Sequence, residues 1–253
     1  MWLYAALILF PLRLRARRRP SPTLAEGGLG AQFSPQAGGP VAISRRGDGP
    51  AAFDDMADDY ERCVGPFSGP VFSLALDALA PELRLGSRVL DVGCGPGAAL
   101  RKVARLVPRG EVVGVDLSLE MLRVADLRVR RAGLSNVALF QADAAELPGA
   151  FAGSFDVAYS CLVHHHLAEP LAALRGIAAS LRPGGIYAAI DATGPCLTWI
   201  ATPLARAVDP GWVRFLRRQA LIDMLASVGL ERVRWTAIAP GIGMAVGMRG
   251  MSS

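Results

Sequence analysis

A glycine-rich turn between an apolar segment and a helical one offers the clearest chemistry in this sequence. The segment Val89–Val92 is apolar apart from Asp91, and a Gly-Cys-Gly-Pro-Gly run follows directly. Glycine permits a tight turn and lets a ligand come close to the backbone. The spacing therefore predicts a ligand-binding loop between a strand and a helix. Its candidate binding residues are Asp91, Gly93, Gly95 and Gly97.

Two kinds of nucleotide cofactor bind loops of this type. Gly93, Gly95 and Ala98 satisfy the G-x-G-x-x-A pattern of dinucleotide-binding proteins, in which backbone N–H groups hold a pyrophosphate. Pro96 removes one such donor, and Asp91 would place a negative charge near that anion. S-adenosylmethionine (SAM) has no phosphate and carries a sulfonium and an ammonium group, which suit a carboxylate. The loop favours SAM, and an NAD(P)-dependent oxidoreductase remains the alternative.

Two more acidic residues end later apolar segments. Asp116 lies 19 residues after Gly97, where an acid accepts hydrogen bonds from ribose hydroxyls. Asp143 could accept a hydrogen bond from an adenine amino group. Because Asp is also a good N-cap, both residues could instead cap the helices that follow them. Binding and capping therefore both remain open for Asp116 and Asp143.

The three histidines of the chain are adjacent, at positions 164–166. Methyl transfer from a sulfonium is an in-line displacement, in which positioning supplies much of the acceleration. A base is needed only when the acceptor must lose a proton, and histidine titrates near neutral pH. We predict His165 and His166 as the catalytic residues; the alternative is that they pack the start of the next helix. Adjacent side chains point in different directions, so we predict no metal site.

Apolar segments alternate with amphipathic ones from Ala51 onward. Strands are predicted at 88–92, 112–116, 137–141, 155–160, 186–191, 232–239 and 243–247. Helices are predicted at 52–64, 66–79, 98–107, 119–132, 170–181 and 218–228. Alternating units of this kind build an α/β fold, a doubly wound, mostly parallel sheet with helices on both faces. Ligands of such sheets bind beyond the carboxyl ends of the strands, where Asp91, Asp116 and Asp143 fall.

The positive net charge of +5 belongs to the first 50 residues, which contain seven arginines and two acidic residues. The other 203 residues contain 20 basic and 20 acidic side chains. An enzyme of nucleic acids carries a basic footprint on its folded domain, so we predict no nucleic-acid partner. None of the four cysteines lies in a C-x-x-C pair, which argues against a disulfide framework and favours a reducing, cytoplasmic location. Residues 1–50 are predicted to be a flexible extension, and residues 51–253 the folded domain.

Residues 1–19 combine an apolar run with a cluster of arginines. Trp2–Leu12 is too short to span a bilayer, which takes about 20 helical residues. The arginines follow the apolar run, whereas those of a signal peptide precede it. Two interpretations remain: a membrane anchor that lies on the surface with its arginines at the headgroups, or a disordered extension. Peripheral membrane contact through residues 1–19 is therefore one expected partner.

Taken together, these motifs resemble class I SAM-dependent methyltransferases, especially the small-molecule enzymes of the ubiquinone/menaquinone-biosynthesis-like group. The resemblance covers roughly residues 51–250. Besides the glycine loop, it rests on Val113–Ser118, Asp143–Ala144, Phe155–Val157, His165–Leu167 and Leu181–Gly185. It implies a seven-stranded sheet with the last strand antiparallel, SAM as the cofactor and a small-molecule acceptor.

The resemblance also implies further cofactor contacts. Tyr60 ends an A-x-x-Y segment whose helix, in such enzymes, closes over the cofactor. The remaining implied cofactor residues are Leu117, Met121, Ala144 and Ser160. One departure is His164, where relatives usually have an apolar residue. No N-P-P-Y or D-P-P-Y follows the fourth strand, which disfavours methylation of nucleobases or protein amides.

The acceptor is expected to bind beside an irregular, apolar segment, Gly194–Pro210. Seventeen residues are long for a plain connection, although that alternative stays open. Residues that could line the same cleft are Trp212, Arg214, Phe215 and Arg217. An apolar pocket suits a hydrophobic acceptor. A SAM-binding regulatory or accessory subunit without transferase activity, which would need no such pocket, is the alternative function.

Overall fold

A mixed β-sheet forms the centre of the computed structural model, which describes residues 41–42, 57, 65–147, 149–167, 169–193 and 213–251. Its strands are β1 (Val41–Ala42), β2 (Arg88–Val92), β3 (Glu111–Asp116), β4 (Val137–Gln141), β5 (Phe155–Cys161), β6 (Leu181–Ala192), β7 (Leu230–Ala239) and β8 (Ile242–Arg249). Their order across the sheet is β1-β4-β3-β2-β5-β6-β8-β7. Strand β8 runs antiparallel to both of its neighbours. The predicted sheet of seven strands with an antiparallel last strand is confirmed.

The two-residue strand β1 adds an eighth member to this sheet. It pairs in parallel with the end of β4, Val41 opposite Phe140 and Ala42 opposite Gln141. The pairing lies in the region predicted as a flexible extension. The sequence offered no signal for it, because two residues are too few to show a strand period.

In the described part of the chain, five α-helices cover the faces of the sheet: α1 (Gly65–Leu79), α2 (Ala98–Leu106), α3 (Leu119–Arg131), α4 (Pro170–Ser180) and α5 (Arg218–Ser227). Helices α1 to α3 pack on one face, where Leu79, Leu100 and Leu122 are buried. Helices α4 and α5 pack on the other, through Leu174, Ile177, Leu221 and Leu225. Because both faces are covered, the inner strands are apolar on both sides. They therefore form continuous apolar runs in the sequence, which made them predictable. The prediction of helices on both faces is confirmed.

Strand β6 starts five residues earlier than the predicted residue 186. Strand β6 begins at Leu181, which pairs with Phe155, whereas the next paired residue is Ile186, opposite Val157. The register shifts over the Arg-Pro-Gly-Gly stretch between them, since proline cannot donate to the ladder and glycine tolerates the bend. The prediction placed that stretch before the strand, whereas it forms an irregularity inside it.

The chain reverses its direction across the sheet between β4 and β5. Strands β3 and β4 lie on one side of β2, and β5 and β6 lie on the other. Ligands of open α/β sheets bind in the crevice beyond the carboxyl ends of the strands at such a switch point. The site is therefore expected where β2 and β5 end side by side. Within the described residues, no helix is both long and apolar enough to cross a membrane.

Candidate active site

A cavity of about 360 Å³ opens at this switch point, within the size range of small-molecule sites, roughly 300–1,000 Å³. Seven of the predicted cofactor residues line it: Asp91, Gly93, Asp116, Leu117, Met121, Asp143 and Ala144. The predicted catalytic residue His166 lines it too. The ends of β2, β3 and β5, the glycine loop and the segments that follow β3, β4 and β5 thus bring residues 91 to 166 around one cavity.

The glycine loop is held against β3. Its first two amides, of Gly93 and Cys94, donate to the carbonyl of Val115 at 2.8 and 3.0 Å. Gly93 has a φ of +69°, and a Cβ on it would lie 2.6 Å from Val163 Cγ2. A side chain at position 93 would therefore be strained in its backbone and would collide with the segment that follows β5. Gly95 and Gly97 shape the loop but do not line the cavity.

Asp116 orders the loop as well as lining the cavity. Its Oδ2 accepts from the amide of Gly95 at 2.8 Å, and its Oδ1 accepts from the amide of Ser118 at 2.9 Å. The cap of α3 is Ser118, whose hydroxyl accepts from the amide of Met121 at 3.1 Å. A carboxylate oxygen can accept more than one hydrogen bond, so these contacts leave room for a ligand hydroxyl.

Asp143 caps the short helix that follows β4. Its Oδ1 accepts from the amide of Ala145 at 2.8 Å, as the capping alternative predicted. The same residue lines the cavity beside Ala144. Contact of Asp143 with an adenine amino group remains a prediction.

Asp91 is buried and meets a partner that the sequence analysis missed. The hydroxyl of Tyr159 donates to Asp91 Oδ2 at 2.5 Å. Burial is the main cause that raises the pKa of Asp91, to about 7, and the charge of Asp116 adds to it, while the hydrogen bond from Tyr159 opposes it. The signal that could have revealed Tyr159 is its place in an apolar strand, because a buried tyrosine hydroxyl needs a partner.

The structure turns Ser160, a predicted cofactor residue, away from the cavity. Side chains alternate along a strand, so Cys161 shares the face of Asp91 and lines the cavity, whereas Ser160 points to the opposite face. There its hydroxyl lies 2.6 Å from the hydroxyl of Tyr187. Cys161 was not among the predicted site residues, although the alternation along β5 places it at this wall.

A buried carboxylate, Asp191, fixes the segment of the histidines. Its Oδ2 accepts from the amide of His164 at 2.6 Å, and its Oδ1 lies 2.6 Å from His165 Nδ1. The amide of Ala192 also donates to Oδ1, at 2.7 Å. Burial alone would raise the pKa of Asp191, but the charges of His165 and His164 and these hydrogen bonds lower it below its usual value. The Asp191 carboxylate accepts a hydrogen bond from Nδ1–H of His165, so the lone pair of the neutral ring lies on Nε2.

The three histidines have different surroundings. His166 lines the cavity, and its ring centroid lies 3.9 Å from that of His165. His164 is fully buried, its Nε2 lies 2.6 Å from the Tyr187 hydroxyl, and burial lowers its pKa. His164 and His165 are therefore both buried, and of the three histidines only His166 lines the cavity.

The chain returns to these histidines after residue 212. The amides of Val213 and Arg214 donate to the carbonyl of His165 at 2.9 and 3.2 Å. Thr193 and Leu216 form a parallel bridge beside them. The predicted acceptor segment 194–210, Trp212, Tyr60 and residues 1–19 lie outside the described residues. Their predicted roles stay predictions.

Comparison with known proteins agrees with this geometry. Residues 89–185 match a family model described as a methyltransferase domain. The nocamycin O-methyltransferase of Saccharothrix syringae is 37% identical over 177 residues, 69% of this chain and 58% of the relative. The ubiquinone biosynthesis O-methyltransferase of Cereibacter sphaeroides (strain ATCC 17029) is 30% identical over 168 residues, 62% of this chain and 65% of the relative.

The chain is similar to methyltransferases over this part of its length. The Haemonchus contortus phosphoethanolamine N-methyltransferase 2, solved in complex with SAM, has the same fold with a TM-score of 0.64 at 17% identity, over 79% of this chain and 60% of that one. The predicted resemblance to methyltransferases is thereby confirmed. The chain spans less than two thirds of the length of either curated relative.

Proposed function

We propose that this chain transfers the methyl group of SAM to a small, hydrophobic acceptor. The charge of the cavity is the observation that carries the proposal. Among the described residues that line it, Asp91, Asp116, Asp143 and Glu169 carry carboxyl groups and none is a lysine or an arginine. Such walls suit a cofactor with a sulfonium and an ammonium group and would repel a pyrophosphate.

The residues of the site divide the work of binding and chemistry. When bound, SAM supplies an electrophilic methyl group on a sulfonium. Asp116 and Asp143 would accept hydrogen bonds from the ribose and the adenine, and Asp91 would face the positive end. The chain holds the two reactants in line, which is the largest contribution expected to the rate.

The histidines would take the proton that an acidic acceptor loses. His166 lines the cavity, and the buried His165 lies behind it, with its ring against that of His166 and its Nδ1 at Asp191. A base in this place acts when the acceptor is a phenol or an enol, whose O–H must be broken as the oxygen attacks the methyl carbon. The names of both curated relatives, O-methyltransferases, favour oxygen as the attacking atom.

The hydrophobic nature of the acceptor follows from the remaining walls of the cavity. Phe72, Leu162, Val163 and Leu167 line it. Burying an apolar ligand against apolar walls lowers the free energy of binding, whereas burying a charged ligand there costs free energy. The alternative, an accessory SAM-binding subunit without activity, is not favoured by a domain whose relatives are named as enzymes.

Calorimetric titration with SAM, S-adenosylhomocysteine and NADH tests the cofactor, on wild type, Asp116→Asn and the control Asp126→Asn. Asp126 lies on the surface of α3, paired with Arg130, so this control makes the same change outside the cavity. We expect micromolar binding of both adenosyl ligands, weakened only by Asp116→Asn, and no binding of NADH. A folded protein that binds neither adenosyl ligand would overturn the proposal.

Methyl-labelled SAM then tests the acceptor against matched apolar and charged phenols. Incorporation into the apolar members is expected, and turnover of charged members alone would contradict the hydrophobic acceptor. His166→Gln should lower kcat on phenols and leave SAM binding unchanged. Equal kcat in His166→Gln and wild type across pH 6–9 would remove the histidine from the chemistry.

We also propose that a cytoplasmic enzyme of this kind touches a membrane surface through residues 1–19. The apolar run and its arginines support this contact. Sedimentation with anionic vesicles compares the full chain with a variant that begins at residue 51, the predicted domain boundary. Loss of partition on deletion is expected, and equal partition of both proteins would contradict the contact.

A further inference from the structure

We propose that Tyr159 is a positioning residue for the cofactor, which holds the Asp91 carboxylate toward the cavity in its ionised form. The inference rests on the proposed function, because it assigns the cation that Asp91 meets to SAM. Tyr159 was not among the residues predicted from the sequence, and it does not line the cavity itself. Its effect on the cofactor would pass through Asp91.

Strand register brings the two side chains together. Asp91 and Tyr159 are direct partners across the parallel pair β2–β5, so both point to the face covered by α1, α2 and α3. Tyr159 is fully buried. Cys161 lies two residues further along β5 on the same face and lines the cavity. The tyrosine hydroxyl meets Oδ2 of Asp91 from the neighbouring strand, and the Asp91 side chain also lines the cavity.

In the described part of the chain, Tyr159 is the one side chain that hydrogen-bonds to Asp91. The other titratable groups that face the carboxylate are Asp116, whose negative charge opposes its ionisation, and the buried thiols of Cys94 and Cys161. Burial raises the pKa of both thiols well above the usual value, so they add no charge near neutral pH. A hydrogen bond donated to a carboxylate favours its charged form, and here Tyr159 supplies it.

This arrangement links cofactor binding to a proton. With the pKa of Asp91 raised by burial to about 7, about half of the carboxyl groups are protonated at pH 7. A cation that binds beside Asp91 favours the carboxylate, and the carboxyl proton then leaves to solvent. Without the Tyr159 hydroxyl, more of the population starts protonated, so more protons must leave for each cofactor bound.

Calorimetry of SAM binding at pH 7.0 in two buffers of different ionisation enthalpy measures this proton release. The full chain is compared with Tyr159→Phe, Tyr187→Phe and Asp91→Asn. Tyr187 is the matched control, because it is equally buried on the same sheet but bonds to Ser160 and His164 on the opposite face. The ligand's own proton equilibrium is common to all four proteins and cancels in the comparison.

Wild type should release about half a proton per SAM, as follows from a pKa of about 7. If the missing hydrogen bond raises the pKa of Asp91 by about one unit, Tyr159→Phe should release about nine tenths of a proton and bind about fivefold more weakly. Tyr187→Phe should match wild type, and Asp91→Asn should release no proton from this site.

Three results would overturn the inference or its basis. Equal proton release by folded Tyr159→Phe and wild type would refute the role of Tyr159. Should Tyr159→Phe fail to fold, release by Asp91→Asn equal to that of wild type refutes it instead. Absence of SAM binding by wild type would refute the proposed function, which the calorimeter shows before any variant is compared.

Discussion

Two buried aspartates flank β5, and they differ in almost everything except their burial. Asp91 on β2 faces the helices α1 to α3, and Asp191 on β6 faces α4 and α5. Asp191 is bound by two backbone amides and a histidine, and these lower its pKa. Asp91 has a tyrosine hydroxyl and a second carboxylate nearby, and its pKa is raised.

The comparison contrasts a carboxylate whose charge is compensated within the fold, Asp191, with one that lines the cavity, Asp91. Asp191 has its partners within the fold, so its ionised form stabilises the folded state. No cationic side chain of the described residues bonds to Asp91, and under the proposed function SAM would supply the cation. A site that binds a cation has to leave a charge incompletely compensated, and Asp91 lines the cavity where that cation would lie.

The largest effect is expected on removing the compensated charge. Asp191→Asn would leave buried N–H groups of His164, Ala192 and His165 without a charged acceptor, so the free energy of unfolding should fall by about 3–5 kcal/mol. Urea unfolding at pH 7.5 measures it, with Asp91→Asn as the matched control. A larger loss in the control would reverse the comparison.

The pH dependence of stability should follow next in size. Because the folded pKa of Asp91 is raised, its contribution to apo stability is complete at low pH and is lost as pH rises toward about 7. Between pH 5 and pH 8, wild type should lose up to about 3 kcal/mol relative to Asp91→Asn. Asp191, with its lowered pKa, contributes the opposite slope only as pH falls below about 4. Parallel stability curves for wild type and Asp91→Asn would contradict the assignment.

For the affinity for SAM, the larger effect is expected at Asp91 and not at Asp191. Asp91→Asn removes a charge from the cavity and should weaken SAM binding roughly thirtyfold, about 2 kcal/mol for a charged interaction. The same variant should bind S-adenosylhomocysteine with a smaller loss, because that ligand has no sulfonium charge. Equal losses for both ligands would place the contact away from the sulfur.

The smallest effect concerns the two buried tyrosines. At pH 5, where Asp91 is protonated, Tyr187→Phe should cost about 1 kcal/mol more than Tyr159→Phe, since it removes a partner from two side chains and not from one. Urea unfolding at that pH measures both. A greater cost for Tyr159→Phe would show that Asp91 depends on its tyrosine for more than its charge.

The sequence predicted the strands that carry the site because they are buried on both faces and read as apolar runs. Strands β2 and β4 were predicted at their observed limits. The glycine loop and the acids after β3 and β4 were also predicted, since their types and spacing are local. What the sequence could not show are partners that depend on register, such as Tyr159 opposite Asp91 and Asp191 beside His165. The end of β5 could be predicted from the apolar run. Which face each of its last residues takes could not, and the structure places Cys161 and not Ser160 at the cavity.

The bridge between Thr193 and Leu216 has an evolutionary consequence. The bridge pairs the residue after β6 with a residue before α5. The amides of Val213 and Arg214 donate to the carbonyl of His165. Closing a loop on a fixed base costs only about 0.6 kcal/mol for each doubling of its length. Insertions and deletions between these two anchors can therefore accumulate without moving the histidines or the carboxylates. Under the proposed function, selection could exchange one acceptor preference for another between these anchors while the cofactor side is inherited intact.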